Sequence, residues 1–180
     1  ISYEAGLSGY LFNKCKTDIT LFKTKLKDLI EWSVDNNWWW RPQNVSSATI
    51  KGVEFETEFL LKEYLKANFN YTYLEAKDTN TEKWLIYRPR HLYKLKFIYS
   101  PTSKFEVGLS AIYKTKRFAN ADNTVYLKDY CVPNINFTYS INKNVQINFE
   151  INNIFDKTYQ EERDYPMPGR AFYGGMKFSF

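Results

Sequence analysis

The chain has 180 residues, a net charge of +5 and 19% aromatic content, from Tyr 15, Phe 14 and Trp 5. That much ring surface excludes a disordered tail, and Gly 7 with Cys 2 excludes collagen-like and disulfide-dense classes. No run reaches the ~18–20 uncharged apolar residues of a membrane-spanning helix, and the modest, dispersed charge does not imply nucleic acid.

Period-two alternation predicts strands along the whole chain. The first two segments are 2–13 and 16–31. In 47–61, Val53, Phe55, Thr57 and Phe59 oppose Glu54, Glu56 and Glu58. In 64–77, Leu65, Ala67, Phe69, Tyr71 and Tyr73 oppose Lys66, Asn68, Asn70 and Thr72. Segments 88–100 and 104–118 follow, with Tyr93, Leu95, Phe97 and Tyr99 on one face and Lys94 and Lys96 on the other. Segment 126–140 alternates Ile135, Phe137 and Tyr139 with Asn134, Asn136 and Thr138. Segment 144–155 sets Val145, Ile147, Phe149 and Ile151 against Gln146, Asn148, Glu150 and Asn152. The last segment is 170–180. A helical period would put charge into every apolar stripe.

Connections alternate between tight turns and longer loops at 32–46, 78–87, 119–125 and 156–169. The strands exceed the ~5–6 residues usual in globular proteins and fit the ~9–11 tilted residues that cross a bilayer. Rings cluster at the strand ends, with Leu95, Val107, Leu109 and Ile135 between them. Long loops on one side, tight turns on the other and aromatic girdles at both rims are the outer-membrane barrel pattern. A soluble two-sheet sandwich shares the alternation but not the long strands, the alternating connections or the girdles. Single-chain bacterial barrels have even strand counts. Nine predicted strands, beginning within a patterned segment at Ile1, therefore lead us to expect further strands upstream. Cys15 and Cys131 are read as free thiols.

Three stretches carry a family resemblance. They are Ala48-Thr49-Ile50-Lys51-Gly52-Val53-Glu54-Phe55-Glu56, Asn152-Asn153-Ile154-Phe155-Asp156-Lys157-Thr158-Tyr159, and Tyr165-Pro166-Met167-Pro168-Gly169-Arg170-Ala171-Phe172-Tyr173 running into Lys177-Phe178-Ser179-Phe180. Together with Arg88-Pro89-Arg90-His91, they resemble the C-terminal part of TonB-dependent outer-membrane receptors over residues 1–180. The resemblance implies an all-β fold: about nine C-terminal strands of a transmembrane antiparallel β-barrel of 22 strands with a plugged lumen. It implies active import of a scarce, bulky ligand such as a ferric siderophore, vitamin B12 or haem. The implied partners are outer-membrane lipid, the TonB complex through an N-terminal plug, the barrel-assembly machinery and the cargo. Terminal Phe180 is similar to the aromatic assembly signal of such barrels. No cofactor is implied. The bland reading of Gly52, Pro166, Pro168 and Gly169 is structural: close packing or bending at Gly52, prolines that hold the last loop out of the sheet, and permissive backbone at Gly169.

With His91 the single histidine, no two-His metal site or His-based triad can be drawn within the chain, and no enzyme is expected. Glu161, Glu162 and Asp164 beside Arg163 offer carboxylates for a cation or cargo, but they read first as a solvated, self-paired loop tip. Trp38-Trp39-Trp40-Arg41 is the unusual local feature, expected in an external loop. Self-packing or interfacial anchoring accounts for it as well as a cargo vestibule does. Trp38, Trp39, Trp40, Arg41 and Arg163 are the candidate ligand contacts. The rival readings are a passive porin or adhesin barrel, an outer-membrane hydrolase and a soluble β-domain.

Overall fold

The structure, a computed structural model, describes residues 1–12, 14–34 and 39–180. Thirteen strands follow in order: β1 (Ser2–Leu11), β2 (Cys15–Val34), β3 (Trp40–Lys62), β4 (Leu65–Asp78), β5 (His91–Thr102), β6 (Phe105–Lys114), β7 (Arg117–Phe118), β8 (Tyr126–Leu127), β9 (Tyr130–Asn142), β10 (Val145–Asn152), β11 (Gln160–Glu162), β12 (Tyr165–Pro166) and β13 (Ala171–Phe178). Nine of them form one antiparallel sheet in the order β1-β2-β3-β4-β5-β6-β9-β10-β13. The pairs β7-β8 and β11-β12 are small separate ribbons. One continuous sheet, not two packed face to face, rules out the sandwich. The outermost strands β1 and β13 each have a single neighbour.

The register carries the alternation across every strand. Leu11, Cys15, Phe59, Ala67, Phe97, Leu109, Ile135, Ile151 and Phe172 form one unbroken cross-strand row. Glu58, Asn68, Lys96, Ser110 and Asn134 form a row on the opposite face. A slip of one residue anywhere would mix the two faces. On the apolar face, neighbouring rings stack across strands. Phe55 lies 6.2 Å from Phe69, Tyr71 lies 4.8 Å from Tyr93, and Phe137 lies 6.4 Å from Phe149. Such cross-strand pairs contribute roughly 0.2–1 kcal/mol each. Thr57, the buried polar exception on this face, donates its hydroxyl to the Lys16 carbonyl at 3.1 Å.

Rings lie at both ends of the sheet, but Phe55, Phe69, Phe97, Phe137 and Phe149 also occupy the middle of the apolar face, which is less aliphatic than expected. At the loop side, Tyr73 and Tyr71 pack on His91, with Tyr93 and Tyr113 alongside, and the Tyr71 hydroxyl lies 2.9 Å from His91 Nδ1. At the turn side, Tyr64 meets Tyr99 edge-on at 5.8 Å. On the opposite face, near the loops, a small core of Ala48, Ala76 and Leu85 gathers Leu26, Ile50 and Leu74. Leu85 comes from the β4–β5 connection, whose backbone folds back so that the Leu85 N–H donates to the Ala76 carbonyl at 2.9 Å.

Several expectations need correction. The loop expected at 32–46 is largely strand: β2 and β3 stay paired as far as Val34 opposite Trp40. Backbone pairing continues there although Asp35-Asn36-Asn37 and Pro42 are loop signals in the sequence. The segment expected as one strand over 104–118 leaves the sheet after Lys114, and that expected over 126–140 joins it at Tyr130. The residues between form the β7-β8 ribbon, which carries Arg117 over the polar face. The loop at 156–169 contains the β11-β12 ribbon, so Pro166 sits in a strand opposite Gln160. Gly169 is required for space, not for backbone freedom: none of the described glycines has positive φ, and a Cβ there would lie 2.5 Å from Asp156 Oδ1. Gly52 answers to close packing, because a Cβ would stand 2.3 Å from the Tyr73 carbonyl oxygen and 2.6 Å from the Phe22 ring.

Candidate ligand-recognition site at the loop end of the sheet

Lys114 and Tyr130 face each other as the last polar-face pair of β6 and β9. Above them β11 lays Glu161 between their side chains. Lys114 Nζ donates to both Glu161 carboxylate oxygens, at 2.8 and 3.0 Å, and the Tyr130 hydroxyl donates to Glu161 Oε1. Arg117 is 2% exposed. Its guanidinium lies 5.2 Å from the centre of the Tyr130 ring, its Nη2 donates to the Gln160 carbonyl, and Nη2 also stands 3.4 Å from Glu161 Oε2. Tyr159 closes the stack 4.4 Å from Tyr130. Burial raises the cost of charging Glu161, yet hydrogen bonds from Lys114 and Tyr130, with attraction to Lys114 and Arg117, hold its carboxyl below the usual glutamate value. Two cations on one carboxylate leave local positive charge. Arg117 Nε and Nη1 are buried and have no hydrogen-bond partner among the described residues.

The family-like stretch at 152–159 builds the base of this loop. Asn153 has positive φ, a conformation Asn tolerates better than most residues. It is buried, and all its polar groups are used. Its N–H donates to Asn134 Oδ1 at 2.8 Å, its Oδ1 accepts from the Lys157 N–H at 2.8 Å, and its Nδ2 donates to the carbonyls of Lys157 and Pro168. Asp156 Oδ1 accepts from the Arg170 N–H at 2.7 Å. The two motifs are therefore halves of one clamp closing a long loop at its base.

A second clamp joins two other loops. Asn123 Oδ1 accepts from the Trp84 N–H at 2.7 Å and its Nδ2 donates to the Trp84 carbonyl at 3.0 Å. Lys83 donates to Asp122 at 2.6 Å, a contact that holds the Asp122 carboxyl below its usual value. The Trp84 ring lies 5.2 Å from Lys77 Nζ and 4.5 Å from the Arg90 guanidinium. Below both clamps, Ser110, Asn134, Asn136, Thr138, Asn148 and Glu150 line a shallow recess on the polar face.

Of the sequence candidates, Trp38 lies outside the described residues. Trp39 is exposed beside the start of β3. Trp40 and Arg41 are not loop residues: they stand opposite Val34 and Ser33 at the far end of the β2-β3 hairpin. Arg163 is exposed in the β11-β12 turn, with Nε 3.5 Å from Asp164 Oδ2. Four strands separate β3 from β10 in the sheet, about 24 Å at the usual inter-strand spacing, so the two groups belong to different parts of the rim. Phe180 is exposed just beyond β13. The sequence reading missed Lys114, Arg117, Tyr130 and Tyr159, and took Glu161 for a solvated tip. The available signal was that Lys114 and Tyr130 sit on the polar face at adjoining strand ends.

The family model for the TonB dependent receptor-like β-barrel matches residues 1–154. The chain is 30% identical over 183 residues to the vitamin B12 transporter BtuB of Photobacterium profundum, covering 99% of this chain and 30% of that protein. It is 27% identical over 188 residues to the ferric-pyoverdine BN7/BN8 receptor of Pseudomonas putida, covering 100% of this chain and 22% of that one. Its fold matches the structure of the copper transporter OprC with a TM-score of 0.85 at 20% identity, over 99% of this chain and 31% of the other. It matches the ferric enterobactin receptor PfeA of Pseudomonas aeruginosa with a TM-score of 0.81 at 21% identity, over 99% and 31%. The chain thus spans less than a third of the length of these proteins. With the matched model, the two-faced sheet and the clamped loops in agreement, the chain belongs to the β-barrel family of the TonB-dependent receptors.

Proposed function

We propose that residues 1–180 form the C-terminal part of the barrel of an outer-membrane receptor that imports a scarce, bulky ligand using energy delivered by TonB. The observation that carries this reading is the single sheet with one apolar and one polar face in a chain of this family. A ferric siderophore is the first choice of cargo and vitamin B12 or another corrinoid the second, in line with the names of the relatives. In this reading the apolar rows meet outer-membrane lipid, the polar face lines a wet lumen around a plug, and Phe180 contacts the barrel-assembly machinery. The protein carries cargo and performs no chemistry on it.

Cargo recognition is assigned to the rim, with Trp39, Trp40, Arg41 and Arg163 as contacts. Large rings and fixed cations give affinity at low ordering cost. The test is uptake by cells carrying the full-length receptor, supplied with ferric siderophores or a corrinoid, with and without an intact TonB complex. TonB-dependent uptake of one cargo is expected. Uptake that persists without TonB would make the barrel a passive pore.

A further inference from the structure

The cluster around Glu161 holds more donors than its one carboxylate can take. Glu161 Oε1 accepts from Lys114 and from the Tyr130 hydroxyl, while Oε2 faces Lys114 at 3.0 Å and Arg117 Nη2 at 3.4 Å. Both oxygens are spent on two cations and a phenol. Arg117 Nε and Nη1 still find no acceptor among the described residues, although the side chain is only 1% exposed. Covered donors of a charged group that lack an acceptor are costly. Among the described residues, Lys114 and Arg117 make no ion pair except with Glu161. Asp129, just before β9, accepts from the Tyr113 hydroxyl at 3.1 Å instead. The cluster therefore carries a surplus of positive charge and a surplus of donors.

The pieces that meet here are held differently. Lys114 and Tyr130 are a paired position of the main sheet, and the Arg117 guanidinium lies against the Tyr130 ring. Glu161 comes from the β11-β12 ribbon, which is outside that sheet. The Asn153 and Asp156 hydrogen bonds tie the ribbon down at its base. Beyond the base it is held by Glu161, by the Gln160 carbonyl, by Tyr159 against the Tyr130 ring and by contact with β8. The Glu161 side chain is 34% exposed, so solvent reaches the carboxylate while the guanidinium behind it is covered. Two placed cations and a phenol, filled by a carboxylate from a separate ribbon, make a binding site occupied by the protein's own side chain.

We propose that Lys114, Arg117 and Tyr130 form a site for a phosphate-type oxyanion, that Glu161 is its internal stand-in, and that the anion displaces Glu161 and frees the β11-β12 ribbon. The inference goes beyond the receptor reading and does not depend on which cargo is carried. A phosphate dianion matches both surpluses. Its charge offsets Lys114 and Arg117 together, and it brings more acceptor oxygens than a carboxylate. The tethered Glu161 competes with it at an effective concentration on the order of millimolar. Arg117 and its partners stand over the polar face, away from the apolar rows, so the phosphate is free in solution or borne on a soluble molecule.

The experiment uses the full-length receptor in detergent at mildly alkaline pH, where phosphate is a dianion. It is titrated with inorganic phosphate at constant ionic strength set by chloride, and separately with glucose 6-phosphate and glucose. Binding is read by calorimetry and ribbon release by hydrogen exchange of residues 159–165. Saturable phosphate binding is expected, with exchange at 159–165 rising as the site fills. Glu161→Gln should bind phosphate about tenfold more tightly, because the tethered competitor is gone. Lys114→Gln should lose about tenfold or more in affinity, as loss of a charge-assisted contact implies, and Lys96→Gln, lower on the polar face, should bind as the wild type does. Glucose should not bind. Tighter binding of glucose 6-phosphate than of inorganic phosphate would support a borne phosphate, and the reverse a free ion. A cluster that only ties the loop down predicts no saturable phosphate binding by wild type or Glu161→Gln, and that result would overturn the proposal. Equal affinity in those two proteins would overturn it as well, as would equal loss in the Lys96 variant. Heat-modifiable mobility on gels checks that each variant is a folded barrel, and the comparison of wild type with Glu161→Gln decides if Lys114→Gln does not fold.

Discussion

At the scale of single residues, Glu161 shows how environment overrides sequence appearance. In the sequence it is one carboxylate of an acidic loop; in the fold it is the shared acceptor of Lys114 and Tyr130, with Arg117 at 3.4 Å. Because its carboxyl is held below the usual value, the contact is fully formed above the ordinary glutamate range and is lost as pH falls through the lowered value. Charge-assisted hydrogen bonds contribute about 1.5–3 kcal/mol, less where water reaches them. Glu161→Gln should therefore raise local opening of residues 159–165 about tenfold in hydrogen exchange at neutral pH, and acid should bring the wild type towards the variant. Exchange unchanged by substitution and by acid would remove Glu161 as the clasp. Gly52 gives a second case. Any Cβ there meets the Tyr73 carbonyl and the Phe22 ring, so Gly52→Ala should cost about 1–3 kcal/mol, as overpacking does, read as a lowered urea midpoint of the folded receptor. An unchanged midpoint would mean that β3 and β4 can separate locally at no cost.

At the scale of elements, period two made the sheet legible. All nine main strands were visible because each puts apolar residues on one face and polar residues on the other over many positions. What alternation did not reveal is pairing that runs up to loop-forming residues. The far end of the β2-β3 hairpin remains paired through Gln43, Pro42 and Arg41, but Asp35-Asn36-Asn37 and Pro42 are loop signals, so those residues read as loop. The ribbons β7-β8 and β11-β12 are too short to show a period. The Lys114–Arg117–Tyr130–Glu161 cluster was illegible for the same reason: its members come from four short or terminal pieces that only the ribbons bring together. The face assignment has its own test. Ile147 stands on the apolar face and Gln146 on the polar one. Lys at a mid-membrane lipid-facing site costs about 2–4 kcal/mol and less at the lumen. Ile147→Lys should thus reduce heat-modifiable barrel far more than Gln146→Lys, and equal damage would count against the register.

At the scale of the molecule, the sheet is open: β1 and β13 each leave one edge unpaired. Unpaired edges cannot persist in hydrocarbon, so residues 1–180 expressed alone should aggregate or fail to insert, and a monodisperse inserted barrel of this piece would refute that. For cargo, Trp39→Ala/Trp40→Ala and, separately, Arg41→Ala/Arg163→Ala in the full-length receptor should each weaken binding by about 2 kcal/mol, roughly thirtyfold. Wild-type affinity in both variants would move the site to other loops. The central claim is that this sheet is a section of a transmembrane barrel, with a defined outer and inner face. The most direct measurement is a spin-label scan of the full-length receptor in vesicles, with Cys15 and Cys131 replaced and labels placed singly at residues 19, 21 and 145–151. The account predicts oxygen-accessible labels at 19, 21, 147 and 149, and labels accessible to a water-soluble nickel reagent at 146, 148 and 150. Accessibility without a period of two would contradict it.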